Sequence, residues 1–262
     1  MKNITRESVK EYIDKLYIEG KSSLTIKNYL STLNRFIKFY LSHSYEPEQA
    51  VMHFFANLRK DCSNNSLLRH YATLKMFFKF LNREIPELKI KRTNYIRQEI
   101  SLNELKKLLH SKNLILKLLI LLLSHTGLRI SEVKTIRAKD LLQDEFNITG
   151  KGNKIRTILI PKNIKNKLIK ILNKLSLQQE DYVFNYTTTY LEELLRKHSL
   201  KILGRKVTPH DLRHYFATYC LNKGLDVYSL SKLLGHSNIQ TTQIYAKMNM
   251  NTIRKKFAKI FK

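Results

Sequence analysis

The chain has 262 residues, with 48 Lys and Arg against 21 Asp and Glu, a formal net charge of +27 and a pI near 10.0. That length exceeds one ordinary domain of ~100–150 residues and is enough to bury two cores. The basic residues run through the whole sequence instead of forming a tail, and such a field attracts polyanions and releases counterions as phosphates are neutralised, so nucleic acid is the expected partner.

Two cysteines, Cys62 and Cys220, exclude a disulfide framework and a cysteine-rich zinc site and suit a reducing, cytoplasmic setting. The opening MKNITRESVKEYID is charged and lacks the apolar segment of a signal peptide. The apolar run 114–123 is interrupted by Lys117 and is half the ~20 residues that span a bilayer, so it reads as a buried helix and no membrane partner is expected.

Helical periodicity governs the first ninety or so residues. In TIKNYLSTLNRFIKFYL the apolar positions Ile26, Tyr29, Leu30, Leu33, Phe36, Ile37, Tyr40 and Leu41 recur on one face, with Ser22 and Ser23 available as the N-cap. Lys27, Arg35 and Lys38 lie on the opposite face. SLLRHYATLKMFFKFL repeats the pattern through Leu67, Leu68, Tyr71, Leu74, Phe77, Phe78 and Leu81, with Arg69 turned outward. Shorter helices near 5–18 and 48–60 complete a four-helix unit with basic outer surfaces.

Pro86 ends that unit, and ELKIKRTNYIRQEIS, with Lys91 and Arg92, reads as a linker whose charge suits a phosphate backbone. SLNELKKLL restarts helix with Ser101 and Glu104 as a capping box. The one clear strand signal is DEFNITGKGNKIRTILIP, where runs 146–149 and 155–160 flank a glycine-containing turn. Helices follow Pro161.

Four stretches hold polar residues that packing alone does not require. In SHTGLRISEV, Gly127 is placed to end one helix and Arg129 to start the next element. In GKGNKIR, Lys151 sits in the turn with Lys154 beside it, and the spacing is not that of a phosphate-cradling P-loop. In VTPHDLRHYFATYC, Thr208 is an N-cap, Pro209 suits the first helical position and Asp211 completes a capping-box turn. His210 and Arg213 are one turn apart at a helix start that favours anions. His210 and His214 have zinc-like spacing, but Asp211 stands where the metalloprotease motif has Glu and no third ligand is evident, so no metal is expected. In LLGHSNIQTTQIYAK, Gly235 reads as a helix C-cap, His236 follows it, and Tyr245 comes nine residues later. Taken singly, each has a plainer reading: a surface arginine, a solvated lysine, or a packing tyrosine among 14.

In this order, TGLRISE, GKGNK, HDLRHYFAT and LLGHSNIQTTQIYAK resemble the tyrosine recombinase (phage integrase) family, most closely its Xer branch, over roughly residues 97 to 262. The resemblance implies a mainly α fold with a small β-sheet. An N-terminal helical, SAM-like core-binding domain would occupy 1–92, and a mixed α/β catalytic domain 93–262, with a C-terminal helix at 251–262.

It places the family's catalytic set on Arg129, Lys151, His210, Arg213, His236 and Tyr245, with Tyr245 as nucleophile and Lys154 the neighbour that could stand in for Lys151. It also implies double-stranded DNA as partner, no cofactor, metal or ATP, and a homotetramer on two DNA sites whose C-terminal helix docks on a neighbouring subunit. Ile253, Phe257, Ile260 and Phe261 form the apolar stripe such docking needs. DNA contacts are expected from Lys27, Arg35, Lys38, Arg69, Lys91, Arg92 and Lys154. No arm-binding domain is visible before residue 5, which fits a compact, nucleoid-associated resolver of chromosome dimers. A mobile-element integrase, a type IB topoisomerase, a non-catalytic DNA-binding regulator and a metal-dependent nuclease are the competing readings.

Overall fold

The computed structural model describes residues 3–93, 98–150, 154–235 and 250–261, and its contacts divide the chain into units Met1–Ile96 and Arg97–Lys262. In the first unit, helix starts follow side-chain chemistry. Thr5 and Ser8 form a capping box at α1 (Arg6–Ile18), Ser22 caps α2 (Ser23–Leu41), Pro47 opens α3 (Pro47–Leu58) and Ser63 caps α4 (Asn64–Phe80).

Their shared core is aromatic: Tyr12, Phe36, Phe77 and Phe78 are almost wholly buried, and Phe36 meets Phe54 edge-on at 5.3 Å. The apolar stripe of α2 is wider than its neighbours cover, leaving Leu30 and Leu41 exposed. Thr32 is buried instead, because its hydroxyl finds partners in Asn28 O at 3.2 Å and His70 Nδ1 at 2.9 Å.

The segment after α4 is not a free linker throughout. Ile85, Leu88 and Ile90 pack on the aromatic core, and Tyr71 Oη donates to Pro86 O at 3.1 Å. Asn65 Nδ2 donates to Thr93 O at 2.9 Å, so this irregular stretch is strapped to its own unit as far as Thr93.

The second unit is built around α6 (Leu114–Thr126), whose residues Leu118 to Ser124 are all buried, as its unbroken apolar run requires. Around it pack α5 (Leu102–Leu109), α8 (Lys162–Lys174), α9 (Thr188–Leu203) and α10 (Pro209–Asn222). The expected Ser101–Glu104 capping box starts α5, and Arg205 bonds to the same Glu104, holding its carboxyl at about 2.

After α6 come α7 (Ile130–Val133), a 3-10 turn (Ala138–Leu142) and an antiparallel hairpin of β1 (Glu145–Thr149) and β2 (Ile155–Leu159), with Glu145 opposite Leu159 and Thr149 opposite Ile155. Gly150 N donates to Lys154 O at 2.8 Å and closes the hairpin. The chain continues after α10 through α11 (Val227–Leu234) to α12 (Met250–Ile260).

The C-terminal stripe expected on a neighbouring subunit is, in the single chain, packed on its own unit. Ile253, Phe257 and Ile260 are buried with Leu159, Phe216, Leu225 and Leu230. Arg254 pairs with both oxygens of Glu145 at 2.6 Å, and Lys256 with Asp226 at 2.8 Å.

Near this cluster His125 bonds through Nδ1 to Ser124 Oγ at 2.8 Å and Leu121 O at 3.1 Å, and its ring lies 6.2 Å from that of Phe261. Burial, aided by Lys167, pushes its imidazole from 6.5 down to about 4, against the bond to Leu121 O. The unfolded chain therefore binds a proton that the folded one refuses, and stability falls as the pH drops from 6.5 towards 4, by about 1 kcal/mol per pH unit. Denaturant melts at pH 6.5 and 4.5 should show this loss in the wild type and a smaller one in His125→Leu; equal losses would assign the acid sensitivity elsewhere.

Candidate active site

The site begins with a glycine that two constraints demand. Gly127 closes α6 in the left-handed region at φ +65, and a Cβ there would stand 2.6 Å from Phe216 Cδ1 and 2.7 Å from Leu234 Cδ2. The turn it makes delivers Arg129 to the position just before α7. There the Arg129 N–H donates to Glu132 Oε2 at 2.6 Å, and its Nη1 to Oε1 at 2.9 Å. Glu132 is 5% exposed, and its Oε2 also accepts from Arg156 Nη2 at 2.6 Å.

A second arm comes from α10, started as its sequence predicts by Thr208, Pro209 and Asp211. His210 is exposed on the first turn, whereas Arg213, one turn on, is 8% exposed. Arg213 is more deeply committed than a phosphate-facing fork would be: Nη1 donates to Gly127 O, and Nη2 to Leu234 O at 2.8 Å.

The two arms meet at the C-terminal end of α11. Gly235 ends that helix at φ +64, and the carbonyls left without helical partners each receive a guanidinium. Arg156 Nη1 donates to Leu233 O at 2.6 Å, Arg213 Nη2 to Leu234 O at 2.8 Å, and Arg129 Nη2 to Gly235 O at a longer 3.4 Å. Arginines from three separate elements thus hold three consecutive carbonyls, where the helix dipole favours cations.

One carboxylate does not balance these charges. Burial and the neighbouring Arg129 and Arg156 push the Arg213 guanidinium down to about 10, with Glu132 only partly opposing them. Burial also lowers Arg156, which Glu132 counteracts. A cationic surplus on a rigid backbone is suited to an anion with two oxygens, such as a phosphodiester.

Of the residues singled out in the sequence, the structure brings Arg129 and Arg213 together and leaves His210 on the surface of α10. Lys151, His236 and Tyr245 lie outside the described residues. Lys27, Arg35, Lys38, Arg69, Lys91, Arg92 and Lys154 are all exposed, and Arg69 and Arg92 line one groove with Ser63, Asn65 and Ser66. His214 Nδ1 lies 3.3 Å from Thr218 Oγ1, and no cluster of three His, Cys, Asp or Glu occurs among the described residues.

Glu132 and Arg156 were missed. Glu132 stood three residues after Arg129, the capping-box spacing that identified Glu104 and Asp211 elsewhere. Arg156 was masked by the apolar run around it.

A helical unit followed by a mainly helical unit, with one hairpin and convergent arginines on a highly basic chain, defines a protein suited to nucleic acid. Sequence models agree: that of the phage integrase family matches residues 97–252, and that of the phage integrase N-terminal SAM-like domain matches residues 2–87. The chain belongs to the phage integrase family, whose tyrosine recombinases are DNA strand-exchange enzymes.

Among its relatives, tyrosine recombinase XerA of Pyrococcus furiosus is 36% identical over 97% of this chain and 93% of its own length. XerA of Thermococcus kodakarensis is 33% identical over 95% and 93%. Of solved structures, a XerA recombinase covers 96% of each chain at 28% identity and a TM-score of 0.50. A lambda integrase bound to DNA covers 93% of this chain and 98% of its own at a TM-score of 0.72; at 14% identity this likeness concerns the fold alone.

Gly127→Ala should cost about 2–4 kcal/mol, since strain at positive φ adds to overpacking. Gly224→Ala, at φ +86 with nothing within 4 Å, should lose only about 1–2 kcal/mol. Urea denaturation of both variants makes the comparison, and equal losses would remove Phe216 and Leu234 from the account.

Proposed function

We propose that this family member is an Xer-type site-specific recombinase that cuts and rejoins double-stranded DNA through a 3′-phosphotyrosyl bond to Tyr245. The observation that carries the reading is the meeting of Arg129 and Arg213 at Leu234 and Gly235, the residues directly before His236. The similarity to XerA over nearly the whole chain supports it.

In this reaction the Tyr245 oxygen attacks the phosphorus while the bond to the 5′ oxygen breaks. A phenol of pKa ~10 is a poor nucleophile at neutral pH, so His210 takes its proton as attack proceeds. The guanidiniums of Arg129 and Arg213, with His236, stabilise the charge that grows on the non-bridging oxygens. Lys151 protonates the departing 5′ oxygen. One phosphate ester replaces another, so religation needs neither ATP nor metal.

Dimer resolution of chromosomes or plasmids in the cytoplasm is the role this proposal assigns, with the exposed basic residues of both units, from Lys27 to Lys154, meeting the DNA backbone. Wild type and Tyr245→Phe, incubated in EDTA with nicked duplexes randomised across the core site, test the chemistry. A denaturant-resistant adduct is expected from wild type only, and the captured duplexes give the site. Binding by both proteins with no adduct from either would reject the nucleophile.

The working assembly we infer is a homotetramer on two DNA sites, with α12 seated on a neighbouring subunit. Every copy presents the groove of Leu159, Phe216, Leu225 and Leu230, so the contacts made within one chain have the same chemistry between chains. Deleting residues 251–262 should preserve DNA binding by single chains and abolish tetramers on DNA, as read by sedimentation. Tetramers and strand exchange that outlast the deletion would rule this docking out.

A further inference from the structure

A second deeply buried arginine of the site, Arg156, lies on β2. Its side chain is 7% exposed, with Nη1 on Leu233 O and Nη2 on Glu132 Oε2, both at 2.6 Å. Its buried Nε has no hydrogen-bond partner among the described residues. Gly235 packs on its stem so closely that a Cβ there would lie 2.6 Å from Arg156 Cδ.

We propose that Arg156 is a positioning residue for strand cleavage, a role that rests on the recombinase reading given above. It joins two carriers of the reaction. The first is Glu132, whose two oxygens fix both the main chain and the guanidinium of Arg129. The second is the peptide from Leu233 to Gly235, which carries the carbonyls held by Arg213 and Arg129 and leads directly into His236.

Packing alone does not explain an arginine here. An apolar side chain of similar volume would fill the space and avoid burying a charge. What an apolar residue cannot do is hold a carboxylate and a carbonyl at once in a fixed plane. Lysine fails for a related reason, since its ammonium is a point donor without the fork. Without Arg156, Glu132 Oε2 keeps, among the described residues, the Arg129 N–H alone, and Leu233 O loses its guanidinium at the end of α11. Arg129 is then free to turn away from the position where a phosphate oxygen would meet it.

The test uses the full chain and a duplex captured by the wild type, with the scissile linkage either a phosphodiester or a methylphosphonate. The methylphosphonate is uncharged, so it depends less on cationic stabilisation. Single-turnover adduct formation is followed for wild type, Arg156→Lys and Arg156→Gln, beside thermal midpoint and DNA affinity. Both variants should bind DNA within about threefold of wild type yet cleave the phosphodiester roughly 10–100 times more slowly, the scale of a misplaced catalytic group. On the methylphosphonate that deficit should shrink to within about threefold.

A residue needed only for packing would lose rate equally on both linkages, and that result overturns the proposal. So does a wild-type cleavage rate in Arg156→Lys, or the failure of both variants to fold, which would make Arg156 a folding residue. Absence of an adduct from wild type on any duplex is a different failure: it rejects the recombinase reading itself.

Discussion

Glu132 brings one negative charge to a place where Arg129, Arg156 and Arg213 bring three positive ones, and the rest of the site is arranged around that imbalance. The carboxylate alone could not hold three guanidiniums within hydrogen-bonding range of one short peptide. The carbonyls at the end of α11 supply the remaining acceptors, and they are available because Gly235 stops the helix there. Gly127 does the corresponding work on the other side by ending α6 and offering its own carbonyl to Arg213. Two left-handed glycines and one acid therefore set where the cations point.

Much of this was legible because local chemistry dictates it. Gly127 and Gly235 as helix ends, the capping boxes at Ser101 and Thr208, and the hairpin around GKGNK are decided within a few residues of sequence. Arg156 was hidden because Ile155 to Ile160 reads as an apolar strand in which either alternate face could be the inner one. The structure turns Ile155 outward at 71% exposure and Arg156 inward, an orientation set by partners 24 and 77 residues away. The same limit applies in α2, where an interhelical bond to His70 buries Thr32 while Leu30 is left in solvent. The terminal stripe of Ile253, Phe257 and Ile260 announced that it would be buried, but amphipathicity does not say against which copy of the chain.

The two units divide the physical demands of a highly basic protein. In the first, an aromatic interior of Tyr12, Phe36, Phe54, Phe77 and Phe78 holds the helices together, and most of the basic residues face outward. In the second, charge enters the interior, and there every guanidinium end described is tied to backbone or to Glu132. Exposed pairs such as Arg137–Glu180 and Lys139–Glu180 add little in comparison, since solvent and salt screen them.

The guanidiniums of Arg129 and Arg213 are oriented by backbone carbonyls, so in the reaction proposed above the electrostatic reorganisation that water would demand at bond exchange would be met in advance by folding. The other face of that preorganisation is self-repulsion, visible in the depressed affinity of Arg213 for its own proton. A phosphate bound as proposed would relieve that repulsion. Under that proposal occupancy of the site and stability of the second unit are thermodynamically linked, and a chain resident on DNA would hold its fold more firmly than the same chain released from it.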